Sequence, residues 1–174
     1  MTREINMIIL GIDPGLATVG YGVVNYEKNR FTTINYGAII TPPHTPVHDR
    51  LKKIYEDMQE LIEAYKPAEL AIEELFYNTN QKTIIPVCEA RGVLLLCAHQ
   101  NKLNISEYTP LQVKQSVVGY GRAEKIQVQT MVKNILKLEK LPKPDDAADA
   151  LALAVCHAHA KPANALLALV NGKK

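Results

Sequence analysis

The sequence predicts an α/β domain of three layers, in which helices cover both faces of a mixed five-stranded sheet. Three β-rich segments follow one another between residues 5 and 40 with short turns between them, which is typical of antiparallel strands. Two more short apolar segments then alternate with helical patterns, as parallel strands do. The 174 residues, 47% of them hydrophobic, suffice for one core. We therefore expect one domain over residues 1–174, with its core at about 5–160 and a tail at 161–174.

The first half of the chain is predicted to form strands at residues 5–12, 20–26 and 31–40 and a helix at residues 48–65. The strands are rich in Ile, Val and Tyr, and their turns contain Gly15 and Asn29. Pro42, Pro43 and Pro46 end the third strand, because proline has no amide hydrogen to donate to a sheet. In the helix, apolar residues recur every three or four positions, which predicts one buried face.

The second half is predicted to form strands at residues 68–73 and 104–108 and helices at residues 82–100, 110–118, 123–138 and 145–160. Pro86 is a candidate break in the first of these helices, and Pro110 opens the second. The tail beyond Pro162 is apolar enough to form a short extra helix. Because crossovers between parallel strands are right-handed, the ends of the first and fourth strands should lie side by side.

Composition excludes several classes of protein. The net charge of +2 is only weakly basic and does not by itself indicate nucleic acid. No apolar run is long enough to span a bilayer and the N-terminus has no signal-peptide pattern, so we expect a cytoplasmic location. Cys88, Cys97 and Cys156 form no C-x-x-C pair, which favours reduced thiols. Zinc at Cys156 and His159 is disfavoured, because no second pair of ligands is near in sequence.

Two carboxylates stand where apolar strands end. Asp13 directly follows the apolar run 7–12, and Glu73 closes the predicted strand 68–73. An unpaired carboxylate is costly to bury, so we expect Asp13 to point into a site. Glu74 is the weaker candidate of its pair, because side chains alternate along a strand and only one of the two can face the site.

A third acidic group opens the last helix. Asp146 and Asp149 are three residues apart and therefore share one face of that helix. Ala147 and Ala148 have so little bulk that this face can approach the sheet and deliver its acids toward Asp13. Hard oxygen ligands of this kind suit Mg²⁺ or Mn²⁺.

Each acid also has a simpler explanation. Asp13 can be a turn former before Pro14-Gly15. Asp145, Asp146 and Asp149 can cap the last helix or favour its positive end. Neither explanation accounts for the three acidic positions together, so the sequence favours a divalent metal site.

A set of motifs in fixed order makes the sequence resemble the bacterial RuvC family of Holliday-junction resolvases. The resemblance runs from about Met7 to His159. The motifs are Gly11-Ile12-Asp13-Pro14-Gly15, Gly20-Tyr21-Gly22-Val23, Ala71-Ile72-Glu73 followed by Phe76, Glu89-Ala90-Arg91-Gly92-Val93, Gln112-Val113-Lys114-Gln115, Val118-Gly119, Ala123-Glu124-Lys125 and Asp146-Ala147-Ala148-Asp149-Ala150-Leu151-Ala152.

The resemblance implies an RNase H-like fold and a homodimer that makes two symmetric, metal-dependent nicks in a four-way DNA junction. The nicks would leave 5′-phosphate and 3′-hydroxyl ends during homologous recombination and DNA repair. A RuvAB-type branch-migration complex is the implied partner. The implied dimer contact is the helix around residues 88–96, although a helix buried in the middle of the protein would show the same apolar pattern.

The resemblance also implies roles for individual residues. The catalytic and metal-binding acids would be Asp13, Glu73, Asp146 and Asp149, holding two Mg²⁺ ions for which Mn²⁺ can substitute. Some family members carry His at the third of these positions, and Asp145 is an alternative to Asp146.

Five further residues are candidates for DNA contacts. Lys114 and Lys125 match lysines that hold the scissile phosphate beside the acids. Phe76 matches a residue that stacks on unpaired bases, and Tyr77 could share that role. Arg122 is only a generic candidate, because basic side chains on a protein surface are usually solvated and make no specific contact.

Three other functions remain open at the level of sequence. One is another RNase H-like nuclease, acting on RNA–DNA hybrid or structured RNA. The second is an actin-like ATPase or kinase with Asp13-Pro14-Gly15 at phosphate, but such proteins enclose the nucleotide between two domains of this kind. The third is a junction-binding module without activity, which the four acids disfavour.

Overall fold

The computed structural model describes residues 6–75 and 81–171 and confirms the α/β class with its mixed five-stranded sheet. The strands are β1 (Asn6–Asp13), β2 (Thr18–Glu27), β3 (Arg30–Ile40), β4 (Glu69–Glu73) and β5 (Asn104–Tyr108). The helices are α1 (Val47–Tyr65), α2 (Gln81–Gln100), α3 (Pro110–Val118), α4 (Lys125–Ile135) and α5 (Asp145–Asn171). The strand order is β3-β2-β1-β4-β5; β1, β2 and β3 are antiparallel, whereas β4 is parallel to β1 and β5 to β4.

The sheet has an apolar core on each face. Side chains alternate along β1, so Ile9 joins one core whereas Leu10 and Ile12 join the other. The core around Leu10 is completed by α1 and α2, and the core around Ile9 by α3, α4 and α5. A strand with both faces covered needs apolar residues at every position, which explains the continuous apolar run before Asp13.

The start of α5 lies unusually close to the sheet because glycines face it. A Cβ atom added to Gly11 would lie 2.0 Å from the carbonyl oxygen of Ala150, and one added to Gly20 would lie 2.0 Å from that of Asp146. Any larger side chain at these positions would push α5 outward. The glycines of β1 and β2 and the alanines of α5 therefore act together to bring the acidic first turn of α5 onto the sheet.

The predicted ends of two helices were wrong. Helix α4 begins at Lys125 rather than Ala123, since Glu124 precedes the helix and its amide donates to Gln127 Oε1 at 2.8 Å. It ends at Ile135 rather than Leu138, because Lys137 adopts a left-handed conformation with φ of 53°. Helix α5 continues to Asn171 instead of ending at residue 160 before a separate helix. A proline removes one hydrogen bond of a helix, and the rest of the ladder continues past Pro162. Helix α2 likewise continues through Pro86.

The cysteines are reduced, as predicted. Cys97 and Cys156 are buried and Cys88 is exposed, and none forms a disulfide. The disfavoured zinc site gains no support, because Cys156 Sγ donates to the carbonyl of Gln112 and His159 Nδ1 lies 3.2 Å from Ser116 Oγ. Among the helices of residues 6–75 and 81–171, none combines the length and apolar character that crossing a membrane requires.

Candidate active site

Asp13 and Glu73 lie at the same edge of the sheet. The parallel pairing of β1 with β4 aligns Ile12 with Ile72, so the next residue of each strand is a carboxylate. Both carboxylates are only partly exposed. The predicted side-by-side arrangement of the two strand ends is thus present, and it follows from the crossover that α1 makes between the third strand and β4.

The first turn of α5 adds two acids to this edge. The pKa of Asp13 rises to about 8, because burial disfavours its charged form and because Glu73, Asp149 and Asp146 repel a further negative charge, in that order. Burial and Asp149 also raise the pKa of Glu73. Asp13 therefore interacts with each of the other three acids, and Glu73 also interacts with Asp149. Such a site has an excess of negative charge that a bound cation would neutralise.

Lys125 is the basic residue closest to these acids in the described structure. Its Nζ lies 2.9 Å from Asp149 Oδ2, and this hydrogen bond raises the pKa of Lys125 while Lys125 lowers that of Asp13. Lys125 is the first residue of α4, where the helix dipole disfavours a positive charge. A lysine at this helix start is therefore not explained by helix stability, but it is explained by the neighbouring carboxylates.

The acids separate two clefts. The first, of about 260 Å³, is lined by Asp13, Glu73 and Asp149 together with Lys114, Lys125 and the apolar residues Pro110, Val113, Val128, Ala152 and Leu153. The second, of about 460 Å³, is lined by Asp146, Arg50, Pro86, Val87 and the turn at residues 15–18. A chain lying across the acid cluster could enter by one cleft and leave by the other.

The chemistry of these side chains fits a hard divalent cation. Carboxylate oxygens are the protein ligands that Mg²⁺ and Mn²⁺ prefer. In the part of the chain that the structure describes, however, no three His, Cys, Asp or Glu side chains already form a group that could hold an ion. Lys125 is hydrogen-bonded to Asp149 Oδ2, so this bond would compete with a metal ion for that oxygen.

The other predicted site residues have different surroundings. Lys114 lines the first cleft, whereas Arg122 lies in the turn between α3 and α4 and is not among the described residues that line either cleft. Phe76 and Tyr77 lie outside the described residues. Asp145 accepts a hydrogen bond from Lys143 Nζ at 2.7 Å, which lowers the pKa of Asp145. This contact turns Asp145 toward solvent, which favours Asp146 as the acid of the site.

Two arginines at the site escaped the sequence analysis. Arg91 Nε donates to the backbone carbonyl of Glu73 at 3.1 Å. Arg50 lines the second cleft beside Asp146. Arg91 belongs to one of the quoted motifs, but its contact joins residues eighteen positions apart and leaves no local pattern. Arg50 leaves a weak signal in the sequence. A basic residue on a helix can pair with an acid four positions later, but for Arg50 that position is Ile54, so its charge has no such partner.

Comparisons with known proteins show which family the chain resembles. The family model of crossover junction endodeoxyribonuclease RuvC matches residues 9–157. A crossover junction endodeoxyribonuclease RuvC from Alkaliphilus oremlandii is 61% identical over 153 residues, which are 88% of this chain and 93% of that protein. Its counterpart from Clostridioides difficile is 54% identical over 168 residues, which are 96% of this chain and 99% of that protein.

A solved structure agrees as well. Thermus thermophilus RuvC in complex with Holliday junction substrate matches with a TM-score of 0.86 at 33% identity, covering 91% of this chain and 96% of that chain. The span matched by the family model includes all four acids of the cluster and both lysines of the first cleft. The chain therefore belongs to the RuvC family of crossover junction endodeoxyribonucleases.

Proposed function

We propose that this endonuclease acts as a single nuclease domain over residues 1–174 that resolves four-way DNA junctions by two symmetric nicks. The nicks serve homologous recombination and repair and leave 5′-phosphate and 3′-hydroxyl ends. The observation that carries the proposal is the cluster of four acids from β1, β4 and α5 between two clefts. The junction bound to the T. thermophilus relative supports the choice of substrate.

Asp13, Glu73, Asp146 and Asp149 would hold the metal. Asp13 interacts electrostatically with each of the other three acids, so it would be the central ligand of the metal site. Glu73 would complete one ion's ligands, and Asp146 and Asp149 those of the other. Bound Mg²⁺, or Mn²⁺ in its place, supplies Lewis-acid catalysis by activating the attacking water and stabilising the leaving oxygen.

The lysines and the apolar wall of the first cleft handle the rest of the reaction. Lys114 and Lys125, which both line the first cleft, bind the scissile phosphate, and Lys125 exchanges its bond to Asp149 for one to the phosphate. Val113, Val128 and Leu153 restrict bulk water around that phosphate. In this mechanism water attacks the phosphate directly. No protein nucleophile is required, and no tyrosine or serine is given a covalent role.

Three further residues would contact the junction outside the cleft. Phe76 would stack on unpaired bases at the crossover, with Tyr77 sharing that role, and Arg122 would contact phosphate. Each stacked base contributes about 1–3 kcal/mol. Because phosphate contacts displace counterions, binding should weaken steeply as salt rises.

A second copy of the chain would pack on α2. This helix carries an exposed stripe at helical spacing, formed by Ile85, Cys88, Gly92 and Leu96. Ile85 is 65% exposed and Leu96 is 54% exposed. Large apolar side chains that are exposed on the same face of one helix are typical of an interaction surface. A Cβ atom on Gly92 would meet nothing within 4 Å, so a partner helix can approach closely there. Leu96→Glu should give a monomer in analytical ultracentrifugation, whereas Lys52→Gln on α1 should not.

Two parts of the proposal rest on family membership alone. One is the RuvAB-type branch-migration complex, which would deliver junctions to this enzyme. The other is a cytoplasmic location, where a bacterial chromosome would present such junctions. A pull-down of RuvAB-type proteins on junction DNA, with and without this chain, tests the first.

The decisive experiment compares substrates and variants. The parent and Asp13→Asn are incubated with Mg²⁺ and a mobile four-way junction, a linear duplex or an RNA–DNA hybrid. Paired symmetric nicks in the junction alone, absent in Asp13→Asn, are expected. Asp49→Asn, an exposed acid on α1, is the matched control and should cleave like the parent. Cleavage of the hybrid without the junction would instead indicate an RNase H-type substrate, and binding without cleavage would contradict an enzymatic role.

A further inference from the structure

The second cleft presents a basic group beside the acid cluster. Asp146 lines this cleft and at the same time acts electrostatically on Asp13, so the cleft opens directly at the candidate metal site. Arg50 of α1 lies in the same lining. The first cleft has Lys114 and Lys125 at the acids, and the second has Arg50. Positive charge therefore stands on both sides of the acids.

The side chain of Arg50 is held in place by buried groups. Its Nε donates to Thr41 Oγ1 at 2.7 Å, and that hydroxyl donates to the carbonyl of Leu16 at 2.6 Å. The amide of Thr41 donates to the carbonyl of Ala17 at 3.0 Å. Thr41 is only 2% exposed. Because Nε is already bonded, the terminal guanidinium nitrogens remain available to a ligand in the cleft.

The charge of Arg50 has no carboxylate partner within 4.0 Å among the described residues. The neighbouring lysines of α1 differ in this respect. Lys52 pairs with Glu56 at 3.5 Å and Lys53 with Asp57 at 2.6 Å, each one helical turn further on. A positioned guanidinium without an acid is well suited to a phosphate, which it can bind through two parallel hydrogen bonds.

We propose that Arg50 binds a backbone phosphate of the DNA strand on the far side of the scissile phosphate from Lys114 and Lys125. The strand would cross the acid cluster from the first cleft into the second, and Arg50 would fix its path next to Asp146. The inference rests on the proposed function, since it requires that the chain binds junction DNA. It assigns a role to the part of the second cleft beyond Asp146, which the proposed catalytic acids and lysines leave unused.

The test is the salt dependence of junction binding, measured in EDTA so that no cleavage occurs. Each phosphate contact contributes about 0.9 to the slope of log affinity against log salt. When salt rises fourfold, each phosphate contact lowers the affinity by about 3.5-fold. A variant that lacks one contact should therefore lose about 3.5-fold less affinity than the parent over the same rise. In a dimer, which lacks two contacts, the difference should be the square of that factor. We expect this reduction for Arg50→Gln, together with weaker binding at low salt that does not depend on junction sequence.

A second variant and a control keep the test decisive. Ala17→Glu adds a carboxylate to the lining of the same cleft at an exposed position, so the fold should tolerate it. It should also weaken binding and flatten the slope, even if Arg50→Gln proves unstable. Lys52→Gln, on the same helix but paired with Glu56, should leave the slope unchanged. Slopes equal to the parent's in both Arg50→Gln and Ala17→Glu would overturn the inference, whereas a parent without salt-dependent junction binding would overturn the proposed function itself.

Discussion

Arg91 of α2 donates a hydrogen bond from Nε to the backbone carbonyl of Glu73, 3.1 Å away. The same guanidinium pairs through Nη2 with Glu107 of β5. The side chain of Arg91 is 15% exposed and that of Glu107 is 48% exposed, so the bond to the Glu73 carbonyl is the better shielded of the two contacts. One arginine thus ties the ends of β4 and β5 to the helix that we propose as the dimer contact. It does so at Glu73, whose carboxylate we propose as a metal ligand.

Arg91→Gln should slow cleavage while leaving junction binding intact. Glutamine cannot reach both partners, so the end of β4 and the Glu73 carboxylate should shift. A displacement of about 1 Å at a catalytic group costs about 100-fold in rate. Single-turnover cleavage at several Mg²⁺ concentrations measures the effect, and junction affinity in EDTA should equal the parent's. Glu107→Gln keeps the bond to the Glu73 carbonyl and should change the rate only slightly; an equal loss in both variants would indicate general destabilisation instead.

Asp13→Asn should stabilise the metal-free protein while abolishing cleavage. In the parent, burial and three neighbouring acids raise the pKa of Asp13 to about 8. Near neutral pH, Asp13 must therefore take up a proton when the chain folds, which costs free energy. A neutral amide of the same size removes this cost. We expect a gain of about 1 kcal/mol or more, which raises Tm by roughly 2–4 °C in a chain of this length. Thermal unfolding in EDTA measures the gain, and a lower Tm would contradict the mutual repulsion of the acids.

The raised pKa of Asp13 should also make the stability of the metal-free protein depend on pH. Since its folded pKa of about 8 exceeds the ordinary value of 3.8, the folded state holds more protons than the unfolded state between these values. The contribution of Asp13 to stability is therefore greatest below pH 4 and is lost as pH rises toward 8. The free energy of unfolding in urea, measured across this range in EDTA, should converge for parent and Asp13→Asn at low pH and diverge as pH increases.

Gly20→Ala should disable the site without changing any acid. The new Cβ would lie 2.0 Å from the carbonyl oxygen of Asp146 and 2.9 Å from its Cβ, so the first turn of α5 must move outward. We expect about a 100-fold loss of cleavage or more, and about 1–3 kcal/mol less stability. Gly37→Ala is the matched control in a strand, because its Cβ would meet only the end of the Tyr21 side chain. Full activity of Gly20→Ala would mean that Asp146 does not need its present position.

Much of this arrangement could be predicted from the sequence. The five strands were located to within two residues at each end, because apolar periodicity and turn residues are local signals. Asp13 and Glu73 were expected side by side because a parallel crossover leaves few alternatives. The approach of α5 could be anticipated from Ala147 and Ala148, although the matching glycines of β1 and β2 were recognised only as part of motifs.

The remaining features depend on contacts between distant parts of the chain. The continuation of α5 through Pro162 contradicts the local signal of that proline. Arg50 is defined by its bond to Thr41 and by the acid it lacks, and Arg91 by a carbonyl on another strand. Such contacts have no period in the sequence, so they become visible only when the elements are packed together.

Lys125→Met should reduce cleavage by about 100- to 1000-fold, as expected for removal of one charge that stabilises the transition state. In the metal-free protein, Lys125 also lowers the pKa of Asp13 and Glu73, so its loss should leave the acids more repulsive. Single-turnover rates and Tm in EDTA should therefore both fall. Lys140→Met removes an exposed charge from the loop after α4 and should change neither. A normal cleavage rate in Lys125→Met would remove this lysine from the proposed mechanism.

A buried polar network that begins at Glu69, at the opposite end of β4 from Glu73, should contribute to stability. Glu69 and His157 are 4% and 2% exposed, and His157 Nε2 lies 3.3 Å from Glu69 Oε2. His157 Nδ1 is 2.8 Å from the hydroxyl of Tyr108, and Lys161 pairs with the other oxygen of Glu69. Removing one member of a buried network leaves the others without partners, which costs more than the lost contact itself.

Glu69→Ala should therefore lower the free energy of unfolding by about 3–5 kcal/mol, and Tyr108→Phe by about 1 kcal/mol. Urea unfolding in EDTA measures both, with Glu63→Gln on the exposed surface of α1 as a control that should stay within about 0.5 kcal/mol of the parent.

The burial that lowers the pKa of His157 predicts that acid also reduces the stability of the folded protein. Because the folded state then binds fewer protons than the unfolded state, the contribution of His157 to stability should decline as pH falls below 6.5. Tyr108 is paired with Glu73 in the register of β4 and β5, but its hydroxyl contacts His157 and not the acid cluster. Cleavage per folded molecule should therefore not change in Tyr108→Phe, and a specific loss of rate there would connect the network to catalysis.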